Sequence, residues 1–272
     1  MLNFDKINES INDFYNRIWT KKTKKFLKLL LFLIIVIGIF YEISSIIALN
    51  DYFSVKYNNE IKPKSELEIT NIVTEVKPIQ NVTDKLNTIA GWEMDNFTDP
   101  YFARYLNQDL DIKSLNPPLP TYLYDNSGKI RADFLSPYNN DPDWIQFYKF
   151  GACGEEASLF ANVTNRSGYP TRIITVMTGF WFYGIPIPQD DHAWVEVNIN
   201  NEWYFFDPTA YGEYHDLKID GYKNRWFGKP EDYDLFLPDQ ILSITQSNTQ
   251  TDASQRYPKL VSPYLTSYKL LW

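Results

Sequence analysis

Apolar residues form one long run near the start of the chain, over residues 29–49, in which Glu42 is the single charged residue. A helix needs about 20 residues to cross a bilayer. Residues 1–28 carry seven Lys or Arg against three Asp or Glu, and basic residues before an apolar span stay on the inner side. The pattern predicts a cytoplasmic tail over 1–28, a single-pass anchor in membrane lipid over 29–49, and an extracytoplasmic remainder. A cleaved signal peptide is the alternative, although residues 45–48 form a poor small-residue cleavage site.

The polar segment that follows, residues 50–82, lacks strong periodicity, and we predict a stalk. A helical pattern resumes within residues 84–110, where apolar residues recur at three- and four-residue spacing. These residues are Leu86, Ile89, Ala90 and Trp92. We predict that residues 83–272 form one extracytoplasmic domain, with a catalytic core that covers about 140–212.

Residues 153–166 predict a further helix. Its apolar positions, at three- and four-residue spacing, are Ala157, Leu159, Phe160, Ala161 and Val163. Gly168 and Pro170 follow as stop signals. Cys153, the only cysteine in the chain, begins this helix, and the positive end of a helix dipole favours a thiolate. A small, buried, unreactive cysteine is the alternative.

A hairpin is predicted next, because side chains alternate between two faces from residue 192 to 199. One face carries His192, Trp194 and Glu196. Asn200 and Asn201 predict a two-residue turn, and residues 202–207 the return strand. With this turn, the numbers of paired residues sum to 401. His192 and Asp207 then become diagonal neighbours on one face, about 7–8 Å apart at the backbone.

This geometry brings together an imidazole and a carboxylate downstream of the single thiol. Asp207 can fix the tautomer of His192, and the other ring nitrogen can accept the proton of Cys153. Taken alone, His192 is also compatible with a half-buried strand histidine, and Asp207 with an Asp-Pro turn. Together, on a helix and two paired strands, the three residues favour nucleophilic catalysis.

Four blocks in this order resemble the transglutaminase-like superfamily, which includes transglutaminases, microbial cysteine peptidases and peptide N-glycanases. They are Gly-Ala-Cys-Gly-Glu-Glu-Ala at 151–157, Gly-Tyr-Pro-Thr-Arg at 168–172, His-Ala-Trp-Val-Glu-Val at 192–197 and Trp-Tyr-Phe-Phe-Asp-Pro-Thr at 203–209. The resemblance implies an α+β fold with a papain-like core, in which a helix with the cysteine packs on an antiparallel sheet. It also implies a triad of Cys153 as nucleophile, His192 as base and Asp207 as orienting acid.

A papain-like mechanism also needs two donors for the oxyanion. The backbone N–H of Cys153 would be one, and the side chains of Gln146 and Trp144 are candidates for the other. The aromatic segment before His192 predicts a rim over the site, where rings could stack on sugars or grip a peptide. The rim candidates are Trp181, Tyr183 and Trp194. Covering the sheet is the alternative role for these rings.

The amino-acid composition excludes some classes of partner and cofactor. The net charge is −8 for the whole chain, and the residues after 28 carry 19 basic against 31 acidic side chains, so we expect no nucleic acid partner. One cysteine and two histidines exclude an internal disulfide and the usual zinc patterns. The sequence has neither a phosphate-binding glycine loop nor a dinucleotide fingerprint, so we expect no cofactor and no metal.

These patterns predict a membrane-anchored cysteine hydrolase that cleaves amide bonds through a thioester. Its substrate would be a protein, a peptide or a cell-wall polymer. A protein-glutamine transglutaminase or a peptide N-glycanase could use the same triad, although the lone cysteine excludes the zinc-binding cysteine pairs of eukaryotic N-glycanases. A non-catalytic module that binds peptide or glycan is the alternative outside the enzymes.

Overall fold

A computed structural model describes most of the chain. The described residues are 13, 21–95, 97, 137–138, 140–149, 151–182, 185–217, 225–235 and 241–261. The chain divides into two compact units. Of the described residues, those up to 52 belong to the first unit and those from 53 onward belong to the second.

Helices precede and flank one sheet in chain order. The described helices are α1 Lys21–Lys56, α2 Lys62–Val76, α3 Val82–Met94, α4 Pro142–Tyr148, α5 Cys153–Arg166 and α6 Pro208–Leu217. The π-helical turn Tyr57–Ile61 joins α1 to α2 without a break. The described strands are β1 Thr171–Phe182, β2 Ile185–Ile199, β3 Glu202–Phe206, β4 Phe227–Gly228, β5 Ile241–Gln246 and β6 Thr251–Asp252. Short 3₁₀ turns cover Pro230–Asp232, Ser254–Arg256 and Pro258–Leu260.

In the first unit, helix α1 contains the apolar run found in the sequence. Large apolar side chains from Phe26 to Ile47 are exposed along it, among them Phe32 at 62% and Ile37 at 66%. Among the described residues, the continuous helix Thr23–Val76 is the one that is long and apolar enough to cross a membrane. A helix that is apolar all round is stable in lipid, where no polar face is needed.

In the second unit, residues 62–76 differ from the stalk expected over 50–82. They form helix α2, and Ile69, Ile72 and Val76 are buried in the main core. The Arg166 side chain donates two hydrogen bonds to Glu66 of α2, at 2.9 and 2.8 Å. The polar residues therefore face solvent and neighbouring helices, while an apolar stripe at three- and four-residue spacing packs on the core.

Six antiparallel strands form the sheet in the order β4-β3-β2-β1-β5-β6. Strands β2 and β3 pair with the predicted register, in which Val195 lies opposite Phe206. Their turn has the two residues that the sequence predicted. Asn200 and Asn201 have φ angles of 54° and 68°, the left-handed values that a tight hairpin of this type requires. The turn sets which side chains share a face.

Each face of the sheet has its own core. Helices α2, α3, α5 and α6 pack on the face that carries Val195 and Phe206. The opposite face carries Trp194 and Phe205, which the last described segment covers with Tyr257 and Leu260. This arrangement confirms the predicted α+β class, in which a helix with the cysteine packs on an antiparallel sheet.

Candidate active site

Helix α5 begins at Cys153, at the point where the sequence predicted its start. The backbone N–H of Ala152 donates to Glu155 Oε2 at 3.0 Å. A carboxylate at the third helical position caps the helix start in this way and suits the positive end of the dipole. The cap fixes the first turn, and Cys153 is half-buried there.

His192 lies on β2 and connects the thiol to a carboxylate. Its Nε2 atom is 2.9 Å from Asp207 Oδ2, and its ring also hydrogen-bonds to Cys153. Burial by itself would lower the pKa of His192. The Asp207 carboxylate and the hydrogen bonds to Asp207 and Cys153 outweigh burial and raise this pKa well above its ordinary value. The imidazole is therefore held in the protonated form more strongly than an exposed histidine would be.

Asp207 is fully buried and accepts hydrogen bonds on both oxygens. Oδ2 accepts from His192 and from the Tyr233 hydroxyl, at 2.8 Å for the latter. Oδ1 accepts from the backbone N–H of Ala210 at 3.0 Å, so the same carboxylate caps the start of α6. These contacts keep the carboxylate oriented toward the imidazole. Sequence reasoning missed Tyr233, which lies 26 residues away on a loop and has no local signal.

The side chain of Trp194 lies in the core on the face of the sheet opposite the helices. It is fully buried, stacks on Tyr233 with ring centroids 4.2 Å apart, and donates from Nε1 to the Tyr257 hydroxyl at 2.8 Å. Trp194 therefore does not line a substrate rim, because the last described segment covers its face of the sheet. Of the other two rim candidates, Tyr183 lies outside the described residues, and Trp181 is described only as a backbone position in β1.

Glu196 continues the polar network on this buried face. It accepts from the Tyr257 hydroxyl at 2.6 Å and from Arg256 Nε at 3.0 Å, and it also pairs with Arg172 of β1. A buried carboxylate needs such partners to offset the loss of hydration. The network therefore joins the last described segment to β1 and β2.

The two oxyanion candidates lie on α4. Trp144 is fully buried and meets Phe53 edge to face, with ring centroids 5.4 Å apart. The Gln146 amide nitrogen donates to Glu68 Oε2 at 2.6 Å. The structure thus shows a packing role for Trp144 and a contact with α2 for Gln146, and their part in an oxyanion hole stays a prediction.

Two further acidic residues are buried near Cys153, His192 and Asp207. Glu156, one helical turn after Cys153, accepts a hydrogen bond from the Thr209 hydroxyl. Burial raises the pKa of Glu156 to about 7; the Thr209 hydrogen bond opposes the rise, Asp207 adds to it and His192 opposes it. Glu93 of α3 is fully buried, and neither carboxylate oxygen has a hydrogen-bond partner in the described part of the chain. Burial and the nearby Glu156 raise the pKa of Glu93 well above its ordinary value.

The sequence contains a signal for Glu93 in the spacing of its helix. Glu93 lies three and four residues after Ala90 and Ile89, on the same helical face as these buried residues. A charged residue on the apolar face of a helix is costly unless it is paired or protonated. The helical pattern alone therefore identifies Glu93 as an acidic residue on a buried face.

Comparison with known proteins supports the identity of the fold. Residues 120–208 match the model of the transglutaminase-like superfamily. This confirms the resemblance inferred from the four sequence blocks, and the matched range includes Cys153, His192 and Asp207. The comparison with curated proteins found no match.

One similar solved structure is the crystal structure of a "putative protease" from Parabacteroides distasonis. It is 11% identical, with a TM-score of 0.29. The match covers 61% of this chain and 30% of that one, so the chain spans less than a third of the length of that protein.

Proposed function

We propose that the transglutaminase-like domain is a cysteine hydrolase that cleaves amide bonds in peptides or isopeptides. Cys153 is the nucleophile, His192 the general base and acid, and Asp207 the residue that orients the imidazole. The observation that carries this proposal is the hydrogen-bonded series from Cys153 through His192 to Asp207. Its members come from a helix start, a strand and the end of the paired strand, as a papain-like site requires.

The chemistry follows from which ring nitrogen each partner uses. Asp207 takes Nε2, which leaves Nδ1 of His192 to accept the thiol proton of Cys153. The thiolate attacks the amide carbonyl carbon, and the C–N bond breaks as the imidazolium gives its proton to the leaving amine. A thioester remains on Cys153. Water then loses a proton to His192 and attacks the thioester, and the proton returns to the sulfur as the acid leaves.

The raised pKa of His192 supports an ion pair in the resting site. A histidine with a raised pKa keeps its proton at neutral pH, so the proton that leaves Cys153 can remain on the imidazole. Asp207 stabilises this imidazolium from the other side. The helix dipole of α5 adds partial positive charge at the sulfur.

We also propose that α1 anchors the protein in the cell membrane with the catalytic domain outside. The motivating features are the apolar run of residues 29–49 and the basic cluster before it. Substrates would then be peptide or isopeptide bonds in secreted proteins or in cell-wall polymers.

The test uses the full chain in detergent micelles, with wild type, Cys153→Ala and His192→Ala compared on a casein digest and on purified peptidoglycan. Mass spectrometry follows new products, and circular dichroism shows that each variant is folded. We expect turnover by wild type and none by either variant. Full activity in a folded Cys153→Ala protein would contradict the proposal. Incorporation of an added amine would indicate a transglutaminase, and release of free glycan from a glycopeptide an N-glycanase.

A further inference from the structure

The mechanism above leaves two buried carboxyl groups without a role. Glu156 lies on α5, one turn after Cys153, and Glu93 lies on α3 within electrostatic range of it. Glu93 is fully buried and Glu156 is 7% exposed. Two acids at this depth and proximity do not both ionise, because each charge loses its hydration and repels the other. The pair therefore retains a proton.

Hydrogen bonding decides which acid keeps that proton. The Thr209 hydroxyl donates to Glu156, and a donated hydrogen bond stabilises a carboxylate over a carboxylic acid. Glu93 receives no such bond on either oxygen in the described part of the chain. The neutral form is consequently favoured at Glu93, and the charge is favoured at Glu156.

We propose that Glu93 and Glu156 share one proton, held on Glu93, and that the charge on Glu156 makes it a positioning residue that stabilises the imidazolium of His192. The inference rests on the proposed function, because it needs an ion pair between Cys153 and His192. The hydrogen bond from Thr209 holds the Glu156 carboxylate at the start of α6, two residues after Asp207, where it is within electrostatic range of His192. The Glu156 carboxylate thus adds to the effect of Asp207 without touching substrate.

Several elements pack around Glu93 and Glu156 and contribute the groups that face them. Glu155 and Cys153 share helix α5 with Glu156. Strand β2 brings His192, and the start of α6 brings Asp207 together with the Thr209 hydroxyl. On the side of Glu93, helix α6 brings the Tyr211 hydroxyl against Gly91, and α2 presents apolar residues to the shared core. Among these groups His192 is the basic one that acts on Glu156.

The first measurement locates the proton. Infrared spectra are recorded for the full-length protein in detergent, and the variants are Glu93→Gln, Glu156→Gln and the exposed control Glu75→Gln. The pH is about one unit above the pKa of Glu156, which is about 7. We expect the carbonyl stretch of a protonated carboxylic acid in wild type, in Glu156→Gln and in Glu75→Gln. Its loss in Glu93→Gln supports the proposal. Its presence in Glu93→Gln, or its loss in Glu156→Gln, overturns the assignment.

The second measurement tests the effect on His192 through alkylation of Cys153 by iodoacetamide. In an ion pair the rate rises first when the pair forms, and again when the imidazolium loses its proton. Removing a nearby negative charge lowers the pKa of the imidazolium, so in Glu156→Gln the second rise moves to lower pH by about 1 unit. Glu93→Gln and Glu75→Gln should leave the second rise in place. An unchanged second rise in folded Glu156→Gln overturns the proposal.

A substitution that disturbs packing less provides a second test in case Glu156→Gln does not fold. Thr209→Val removes the hydrogen bond that favours the Glu156 charge and keeps the shape of the side chain, whereas Thr209→Ser retains the bond. We expect the second rise to shift to lower pH in Thr209→Val and not in Thr209→Ser. Equal profiles in these two variants overturn the proposal. A wild-type profile with a single rise at the ordinary thiol pKa would instead overturn the proposed function, whatever the infrared spectra show.

Discussion

The Tyr233 hydroxyl donates to Asp207 Oδ2 at 2.8 Å, on the same oxygen that meets Nε2 of His192. Both Tyr233 and Asp207 are fully buried. One carboxylate oxygen therefore holds a phenol and an imidazole at once. The proposed triad depends in this way on a residue that lies 26 positions from Asp207 in sequence.

Tyr233→Phe should weaken catalysis without removing it. The ring can keep its stack on Trp194, but Asp207 loses a donor, and a lost buried hydrogen bond costs about 1–3 kcal/mol. We expect kcat to fall by about tenfold, the equivalent of 1.4 kcal/mol, with KM little changed. Steady-state kinetics on a substrate found in the first screen would measure this.

The matched control is Tyr204→Phe, because the Tyr204 hydroxyl donates to Glu202 on the surface. This variant should keep the wild-type kcat. Equal losses in Tyr204→Phe and Tyr233→Phe would show that the effect does not arise from Asp207.

Asp207→Asn should lower the pKa of His192. The charge of Asp207 is the largest of the contributions that raise this pKa against burial, so its removal lowers the pKa even though Cys153 remains. Because the protonated form predominates only below the pKa, the imidazolium loses its proton at a lower pH than in wild type. Proton NMR of the two histidines measures this directly, and His215→Gln identifies the resonance that belongs to His192. A His192 titration at the wild-type pH would contradict the prediction.

Glu156→Gln should change how stability depends on pH. The native state raises the pKa of Glu156 from 4.5 to about 7, so it holds this proton more tightly than the unfolded chain. The resulting stability is complete below pH 4.5 and is lost as pH rises to about 7. Glutamine resembles the protonated acid at every pH, so the variant should gain up to ~3 kcal/mol over wild type across this interval. Chemical unfolding at a series of pH values tests this, with Glu75→Gln as control; parallel curves for Glu156→Gln and wild type would contradict it.

The hairpin turn should tolerate glycine and resist a branched residue. Asn201 has a φ angle of 68°, in a region that costs ordinary L-residues about 1–2 kcal/mol. Asn201→Gly should therefore unfold at or above the wild-type temperature, and Asn201→Val at a lower one. Thermal unfolding by circular dichroism compares the two. A Val variant as stable as the Gly variant would show that the turn does not require a left-handed residue.

The register of the hairpin could be predicted because its causes are local. Alternation along residues 192–199 and two asparagines in the turn determine which side chains share a face, and Val195 pairs with Phe206 as expected. The extent of α5 was equally predictable, because the apolar spacing defines the helix and Gly168 and Pro170 mark its end. These features depend only on interactions between residues that are close in sequence.

Other features depend on contacts that no short pattern contains. Residues 62–76 looked like a stalk because Ile69, Ile72 and Val76 form a narrow stripe in a polar segment, and their burial comes from packing on α3 and α5. Trp194 shares a face with His192, as predicted, but that face is covered by Tyr257 from the other end of the domain. The burial of Glu93 beside Glu156 likewise requires two helices that the sequence separates by tens of residues.

The short turn between β2 and β3 also bears on the order in which the site is assembled. His192 and Asp207 are 15 residues apart on one hairpin, and closing so short a loop is fast and costs little entropy. Cys153 lies on a helix outside this hairpin, so it can join them only when α5 packs on the sheet. We therefore expect the thiol of the newly made chain to stay apart from His192 until late in folding, which would protect it from premature reaction.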